Sequence, residues 1–545
     1  MRLVPLCLAL LLASGPLPAQ SAAPISAMAL KIRLFALAHD SMGGRATGSE
    51  GGFKAADYIA SEFKRVGLEP AGDNGTYFQA IPFSRYQPDR RGEIVVGGAR
   101  FGVGQDVIPM LAPGLGRSIA GAQVIAGGAL DDTTTWISAE QARGKVVILT
   151  PPAEIGRRIG PALAGPRRSR RFADAALIAV PMLDQLGSEV VAAMTAGRVM
   201  LDTARTAQGP LLALVTARAA AAMLGRPLEG ATPGTMGVTV SGSVGLGFVP
   251  LAYPARNVVG ILRGADPARN RTYVSLSAHS DHVGFDRAPV DHDSLRAYNR
   301  VIRPMGADSP SRAATPAEWT EIHRILDSLR AIRPARPDSI RNGADDDGTG
   351  TVALLEVAES FRRGPAPARS ILFVSHAAEE EGLLGSAWFT DHATVPIDSI
   401  VSEVDMDMIG RGSATDLPDA GPGYLEMIGL TRLSKEYGAI LDRVNARQPN
   451  PFAFNLAFDV PGHPLQYYCR ADHYNYARYG IPSVSLSRGE HLDYHQVTDE
   501  PQYIDYDALA RVATFAADVA REVAGLDHRP QLDRPKGDPK AACVQ

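Results

Sequence analysis

Apolar residues recur at helical spacing over residues 53–66, FKAADYIASEFKRV, where Phe53, Ala56, Ile59, Ala60 and Phe63 share one face. Gly67 follows where a helix commonly ends in a left-handed residue. From about residue 95 to 245 the texture changes: short apolar runs at 146–149 and 211–215 alternate with Gly-, Pro- and Ala-rich stretches. That segment holds no clustered His, Asp or Glu, and it reads as a separate inserted domain. The second half alternates elements. Apolar runs predict strands over 257–262, 273–278, 370–374, 400–408 and 483–486, with helices over 351–361 and 506–523. The pattern implies an α/β fold: a central mixed, mainly parallel sheet with helices on both faces, plus a smaller β-rich insert. Between Asp286 and Ile340 runs a polar, Arg- and Pro-rich excursion with one helix over 316–332, expected to lie across the face where the loops gather.

A length of 545 residues favours two domains, and 45% hydrophobic with 21% charged residues is ordinary for a globular protein. A formal net charge of −4 argues against a nucleic-acid partner. The N-terminus has Arg2, an apolar run over 3–13, then small and turn residues, the order of a secretory signal peptide cleaved near 19–22. That run is too short to span a bilayer, and no later segment is long and apolar enough. The expected layout is a signal peptide over 1–22, a first catalytic-domain part over 23–95, the insert over 96–248, the main part over 249–526 and a polar tail over 527–545. The mature chain is expected to be secreted or periplasmic, without a membrane span. Cys469 and Cys543 remain, and because Cys543 lies in the polar, proline-bearing tail they are not expected to pair. Arg157, Arg158, Arg167, Arg168, Arg170 and Arg171 read as a solvated loop, since no aromatic residue is interleaved.

Five places put metal-binding side chains at or just past the C-terminal end of a predicted strand, where ligands bind open α/β sheets. They are S-A-H-S-D-H with His279 and Asp281, N-G-A-D-D-D-G-T-G at 342–350, the triplet Glu379-Glu380-Glu381, D-M-D-M-I-G with Asp405 and Asp407, and D-Y-H-Q-V-T-D-E-P with His495 and Asp499. Singly, each has a plain reading: a solvated turn and helix cap, a charged surface face, a core hydrogen bonder. Jointly, two histidines and several carboxylates suit zinc with mixed nitrogen and oxygen ligands, whereas calcium favours oxygen alone. Asp281, two residues from His279, is placed to orient the His279 ring.

These five motifs, in this order, resemble the co-catalytic dinuclear-zinc aminopeptidase family, of the aminopeptidase Y and secreted bacterial leucyl aminopeptidase type. The resemblance also takes in 40–49, 255–264 and 471–482, and the insert weakly resembles a protease-associated domain. It implies a zinc-exopeptidase fold, peptide substrates and two Zn2+ per chain. Asp346 would bridge the ions, with Glu380 and His495 completing one site and His279 and Asp407 the other. Glu379 would be general base to a water shared by the ions, and Tyr494 would stabilise the oxyanion. Glu381 would face solvent, and His282 and His473 would not be ligands. Asp405 departs from the family, where Asn is frequent, and the 286–340 excursion is longer than usual.

A glutamate-type carboxypeptidase shares such a site and needs a basic pocket, for which Arg411 and Arg488 are the candidates. Glutaminyl cyclase uses one zinc, so the full ligand set counts against it. Receptor-like relatives lose the ligands, which are all present here.

Overall fold

The computed structural model describes residues 24–110, 117–152, 163, 169–202, 211–310, 312–417 and 420–545. The expected signal peptide, residues 1–22, and Arg157, Arg158, Arg167 and Arg168 lie outside the described residues. Helix α1 (Ala27–Leu37) starts at Ser26, whose hydroxyl accepts the Ala29 N–H. Helix α2 (Glu50–Val66) is capped by Ser49 and stops at Gly67, whose φ of +82° a residue with a Cβ adopts only under strain.

The main sheet is built from β1 (Glu69–Pro70), β2 (Phe78–Ala80), β3 (Arg256–Leu262), β4 (Tyr273–His279), β5 (Ser370–His376), β6 (Ile400–Met406), β7 (Tyr424–Ile428), β8 (Ala453–Asn455) and β9 (Ser483–Ser487). Its order is β1-β3-β5-β4-β6-β9-β7-β8, with β2 also on β3. The four central strands β5, β4, β6 and β9 are mutually parallel, and antiparallel partners flank them. Both β4 and β5 are buried along their whole length, as strands covered on two faces must be. Side chains alternate between the faces. Ile371 and Phe373 join the core under α1, α2, α3 (Gly350–Arg363) and α4 (Tyr506–Gly525). Leu372 and Val374 face Phe389 and Tyr476 on the other side.

A second sheet of eight strands lies between Glu93 and Val244, with Arg117–Ala129, Val146–Thr150, Leu177–Val180 and Leu212–Val215 parallel at its centre. A third, small sheet sets Phe83–Pro88 between Arg198–Leu201 and Leu246–Pro250.

The excursion forms a hairpin, Gly284–Asp291 with Pro337–Arg341, that closes off helices His292–Ile302 and Pro316–Arg330. Buried Asp293 ties it together through Arg330, Arg333 and Arg336. The excursion presses on the loop before His495: the Ala307 N–H donates to Tyr494 O at 3.1 Å, and Asn299 Nδ2 donates to Leu492 O at 2.9 Å.

Two expectations are corrected. Cys469 and Cys543 form a disulfide, with Cα atoms 5.8 Å apart. The tail is polar but docked, as Lys536 pairs with Asp398 and Gln545 bonds Phe458 O and Val460 O. Glu381 is not a solvent residue either. It is part-buried, and burial with nearby Asp281 raises its carboxyl, while Arg198 and Arg85 from the small sheet oppose the shift.

Candidate metal centre

Parallel strands bring their C-terminal ends to one edge, and the five motifs meet there. His279 ends β4 and pairs in register with His376 of β5. Three and four residues beyond His376 come Glu379 and Glu380, and one residue beyond β6 comes Asp407. The backbone is unusual at this edge: Ala378, Met408 and His495 have φ of 59°, 57° and 56°. Residues with a Cβ reach that region under strain, and such strain concentrates at functional sites.

Asp346 stands at the centre. Its Oδ1 lies 3.2 Å from His279 Nε2, and Asp407 Oδ1 is 3.6 Å from that nitrogen. Its Oδ2 lies 3.0 Å from His495 Nε2, which is also 3.0 Å from Glu380 Oε2. Glu379 Oε2 is 4.0 Å from His279 Nε2. The carboxylate of Asp346 thus faces two groups of donors, one with each oxygen. Asp347 also comes near His279 and Asp407, within 4.8 Å, but its oxygens are taken by the N–H groups of His279, Gly350 and Met408.

The residues fit a bound cation. His279 Nε2, Asp346 Oδ2, Glu380 Oε1, Asp407 Oδ1 and His495 Nε2 are buried, and none makes a hydrogen bond. Orphaned polar atoms of this kind are costly unless a partner meets them. The electrostatics agree: burial alone would lower His495, yet Asp346 and Glu380 raise it to about 10. Burial, with Glu380 and Asp407, pushes Glu379 well above the usual carboxylate range against the pull of His279. In Glu380 burial and Asp346 raise the carboxyl, but His282 and His495 bring it below its ordinary value.

Supporting residues set these positions. Asp281 contacts His279 Nδ1 mainly through its carbonyl, at 3.1 Å, with the carboxylate at 3.6 Å. The carboxylate instead accepts the N–H groups of Glu379 and Glu380 and the Thr47 hydroxyl. Asp499 accepts the N–H groups of Asp345 and Asp346. Arg45, fully buried, donates to Ser280 O at 2.8 Å, Asn342 O and Gly343 O, fastening the strand end to the aspartate loop. Tyr494 stacks on His495 at 4.1 Å, and Arg470 Nη2 donates to its hydroxyl at 3.5 Å. Asp405 is buried and accepts Ser277 Oγ at 3.1 Å.

His282 differs from its sequence reading. Its Nδ1 lies 2.8 Å from Glu380 Oε1 and 3.6 Å from Asp346 Oδ2, and it stands with Asp346, Glu380 and His495 as one donor set. The signal was present, since His282 follows Asp281 in the first motif. His473 instead packs edge-on against Tyr468. Arg411 is taken by Asp416 and Asp493, and Arg488 by the carbonyls of Arg411, Gly412, Gly421 and Tyr424. Neither arginine is free for a ligand. A pocket partly open to solvent adjoins the cluster and includes Glu379, Tyr494, Arg470, Glu426 and Glu490. Sequence reasoning found neither of those two glutamates nor Arg470.

Known proteins resemble this chain over the same region. Leucine aminopeptidase 1 of Paracoccidioides brasiliensis (strain Pb18) is 31% identical over 195 residues, 33% of this chain and 46% of that protein. Leucine aminopeptidase 1 of Ajellomyces dermatitidis (strain ER-3 / ATCC MYA-2586) is 30% identical over 240 residues, 42% of this chain and 56% of that protein. The chain spans about half the length of the relatives it matches. Among solved structures, an aminopeptidase from Aneurinibacillus sp. strain AM-1 is 16% identical, with a TM-score of 0.48 over 91% of this chain and 93% of that one. A zinc aminopeptidase from Bacillus subtilis is 16% identical, with a TM-score of 0.45 over 91% and 94%. Residues 257–520, which carry the centre of the cluster, match peptidase family M28. The likeness to peptidase family M28 is therefore that of this segment, just under half of the chain.

Proposed function

We propose that the chain is a secreted, zinc-dependent aminopeptidase that removes N-terminal residues from peptides. The observation that carries this reading is Asp346, whose two carboxylate oxygens face two separate sets of buried, unpartnered donors. His279, Asp346 and Asp407 would hold one zinc ion, and Asp346, Glu380 and His495, with His282 beside them, the other. Mixed nitrogen and oxygen donors suit zinc. Bound there, the two ions supply Lewis acidity, acidifying a water and polarising the scissile carbonyl.

The remaining work belongs to side chains. Glu379, held by the Asp281 carboxylate through its own N–H, takes the proton of the attacking water and passes it to the leaving amine. Burial, with Asp346 and Glu380, keeps the Tyr494 phenol protonated. It can therefore donate to the developing oxyanion. Glu379 and Asp407 line the pocket and suit the ammonium of a free N-terminus. The carboxypeptidase reading needs a free basic group, and Arg411 and Arg488 are both committed. Arg470 does line the pocket, but Asp308 holds its Nη1 at 2.7 Å. A disulfide persists in oxidising compartments, which supports secretion.

The test pairs peptides with metal analysis. Zinc-loaded protein should shorten a free peptide one residue at a time from its N-terminus, fail on the N-acetylated peptide and tolerate C-terminal amidation. Metal analysis should find near two zinc ions per chain, and Asp346→Ala should lose both together, because one carboxylate serves both. C-terminal release from N-acetylated peptides, or a variant that keeps one ion at full affinity, would overturn the assignment.

A further inference from the structure

The pocket beside the cluster has a floor with its own chemistry. Strands β7 and β9 are antiparallel, with Glu426 opposite Ser487 and Ile428 opposite Ser485. Opposed pairs two residues apart project to one face, so these four side chains line the pocket together. Glu426 is 4% exposed. Asn455 Nδ2 donates to the Tyr424 hydroxyl at 2.8 Å, and that hydroxyl donates its own hydrogen to Glu426 Oε1. Residue 489 is a glycine with φ of +85°, where a Cβ would come within 2.8 Å of Glu426 Oε1. The backbone makes room for this carboxylate.

Glu490 enters from the adjacent loop and is 7% exposed. Its Oε1 accepts the Tyr467 hydroxyl at 2.7 Å, and its Oε2 is buried without a hydrogen-bond partner. Arg470 Nη1 lies 3.9 Å from Glu490 but only 2.7 Å from Asp308 of the excursion. Two carboxylates, Glu490 and Asp308, therefore share one guanidinium, and Glu426 is held by the Tyr424 hydroxyl. Burial raises Glu426 to about 7, and burial with Asp308 raises Glu490 to about 8. Carboxyls behave so where positive charge is short.

We propose that this pocket receives the side chain of the substrate's first residue and selects lysine or arginine, whose cation Glu426 and Glu490 bind. The inference rests on the aminopeptidase reading, because that reading puts the first residue beside Glu379. The lining suits such a side chain, since Met408, Ile428 and Tyr467 offer apolar contact to a methylene stem and Glu426 and Glu490 offer carboxylates to its charge. A leucine side chain would leave Glu490 Oε2 without a partner, and a glutamate would add a third negative charge.

The experiment compares zinc-loaded wild type with Glu426→Gln, Glu490→Gln and the double variant, using lysyl, arginyl, leucyl and glutamyl p-nitroanilides. Hydrogen bonds to a charged group carry enough energy for kcat/KM to favour the basic substrates over leucyl by about tenfold or more. Each single variant should cut the lysyl-to-leucyl ratio, mainly through KM, and the double variant should abolish the preference. A binding arm uses thermal shift with lysinamide and leucinamide: lysinamide should stabilise wild type more, and the double variant should lose the difference. Preference for leucyl with a ratio unchanged in the variants overturns the proposal. If no p-nitroanilide is cleaved, the aminopeptidase reading falls and binding decides. A lysinamide shift lost in the double variant then upholds the cation pocket, and equal shifts from the two amides reject it.

Discussion

Glu379 and Glu380 are chain neighbours whose carboxyls are driven in opposite directions. Burial and surrounding carboxylates raise Glu379, whereas His282 and His495 hold Glu380 below its ordinary value. A pair of groups pushed apart in this way points to divided roles. Glu379→Gln keeps the shape but accepts no proton, so turnover should fall about 10²-fold or more with both ions retained. Glu380→Gln should instead weaken one ion, as read by metal titration, and equal metal loss in both variants would reject the division. Glu490 makes a separate prediction about stability. Its folded carboxyl sits at about 8, above its ordinary value. A raised carboxyl contributes stability that is full below the unfolded value of about 4.5 and is lost as pH rises toward about 8. Glu490→Gln does not ionise, so its Tm relative to wild type should climb across that window and then level off. A pH-independent difference would show that Glu490 carries no such penalty. The motif residues of the cluster were legible because each stands in a short, chemically loaded stretch. Glu426 and Glu490 were not, since nothing in sixty-odd residues of intervening chain says that they share a pocket.

Elements with apolar runs were legible for a physical reason: β4 and β5 are buried on both faces, so β5 carries the unbroken run Ile371–Val374 and β4 admits only the small Ser275 and Ser277 between its apolar residues. β7 was missed. Its five residues, Tyr424–Ile428, alternate weakly and place Glu426 inward, and a buried carboxylate is the opposite of a strand signal. The excursion hairpin was missed because Gly284–Asp291 is mostly exposed or half-buried, leaving no period to read. Arg45 belongs to this scale as well. It sits in the short helix Asp40–Arg45 and joins that turn to the end of β4 and to the aspartate loop through carbonyls of Ser280, Asn342 and Gly343. Burial lowers its guanidinium while Asp346, Asp499, Asp347 and Asp281 pull the other way. Arg45→Met would fill part of the space but take the guanidinium from the carbonyls of Ser280 and Asn342, at roughly 1 kcal/mol or more each, while Gly343 O keeps the Gly348 N–H. Chemical denaturation should show a loss of about 2 kcal/mol or more. A variant as stable as wild type would mean that water replaces the guanidinium.

At the scale of the molecule, three distant segments build the pocket wall. Asp308 of the excursion holds Arg470, and the disulfide from Cys543 anchors Cys469 one residue before it. Gln545 adds to the anchor, since its Oε1 accepts the Tyr468 N–H at 2.8 Å and its carbonyl accepts the Gly462 N–H at 3.1 Å. The turn Tyr467–Cys469 therefore carries Tyr467, which touches Glu490, and is clamped by the tail on its far side. A polar tail gave no reason to expect pairing, because the contacts that dock it are hydrogen bonds and ion pairs without an apolar pattern. Closing 74 residues of chain removes unfolded-state entropy worth about 4 kcal/mol in the chain-entropy account. Cys543→Ser should lower Tm. It should also release the turn, so the lysyl-to-leucyl ratio should fall through KM, while zinc content stays that of wild type because His279, Asp346, Glu380, Asp407 and His495 are held by other elements. Reducing agent should do the same to wild type and nothing further to the variant. If Tm falls with the ratio unchanged, the tail stabilises the fold without shaping the pocket. If zinc is lost together with the ratio, the clamp acts on the whole edge of the sheet and not on the wall alone.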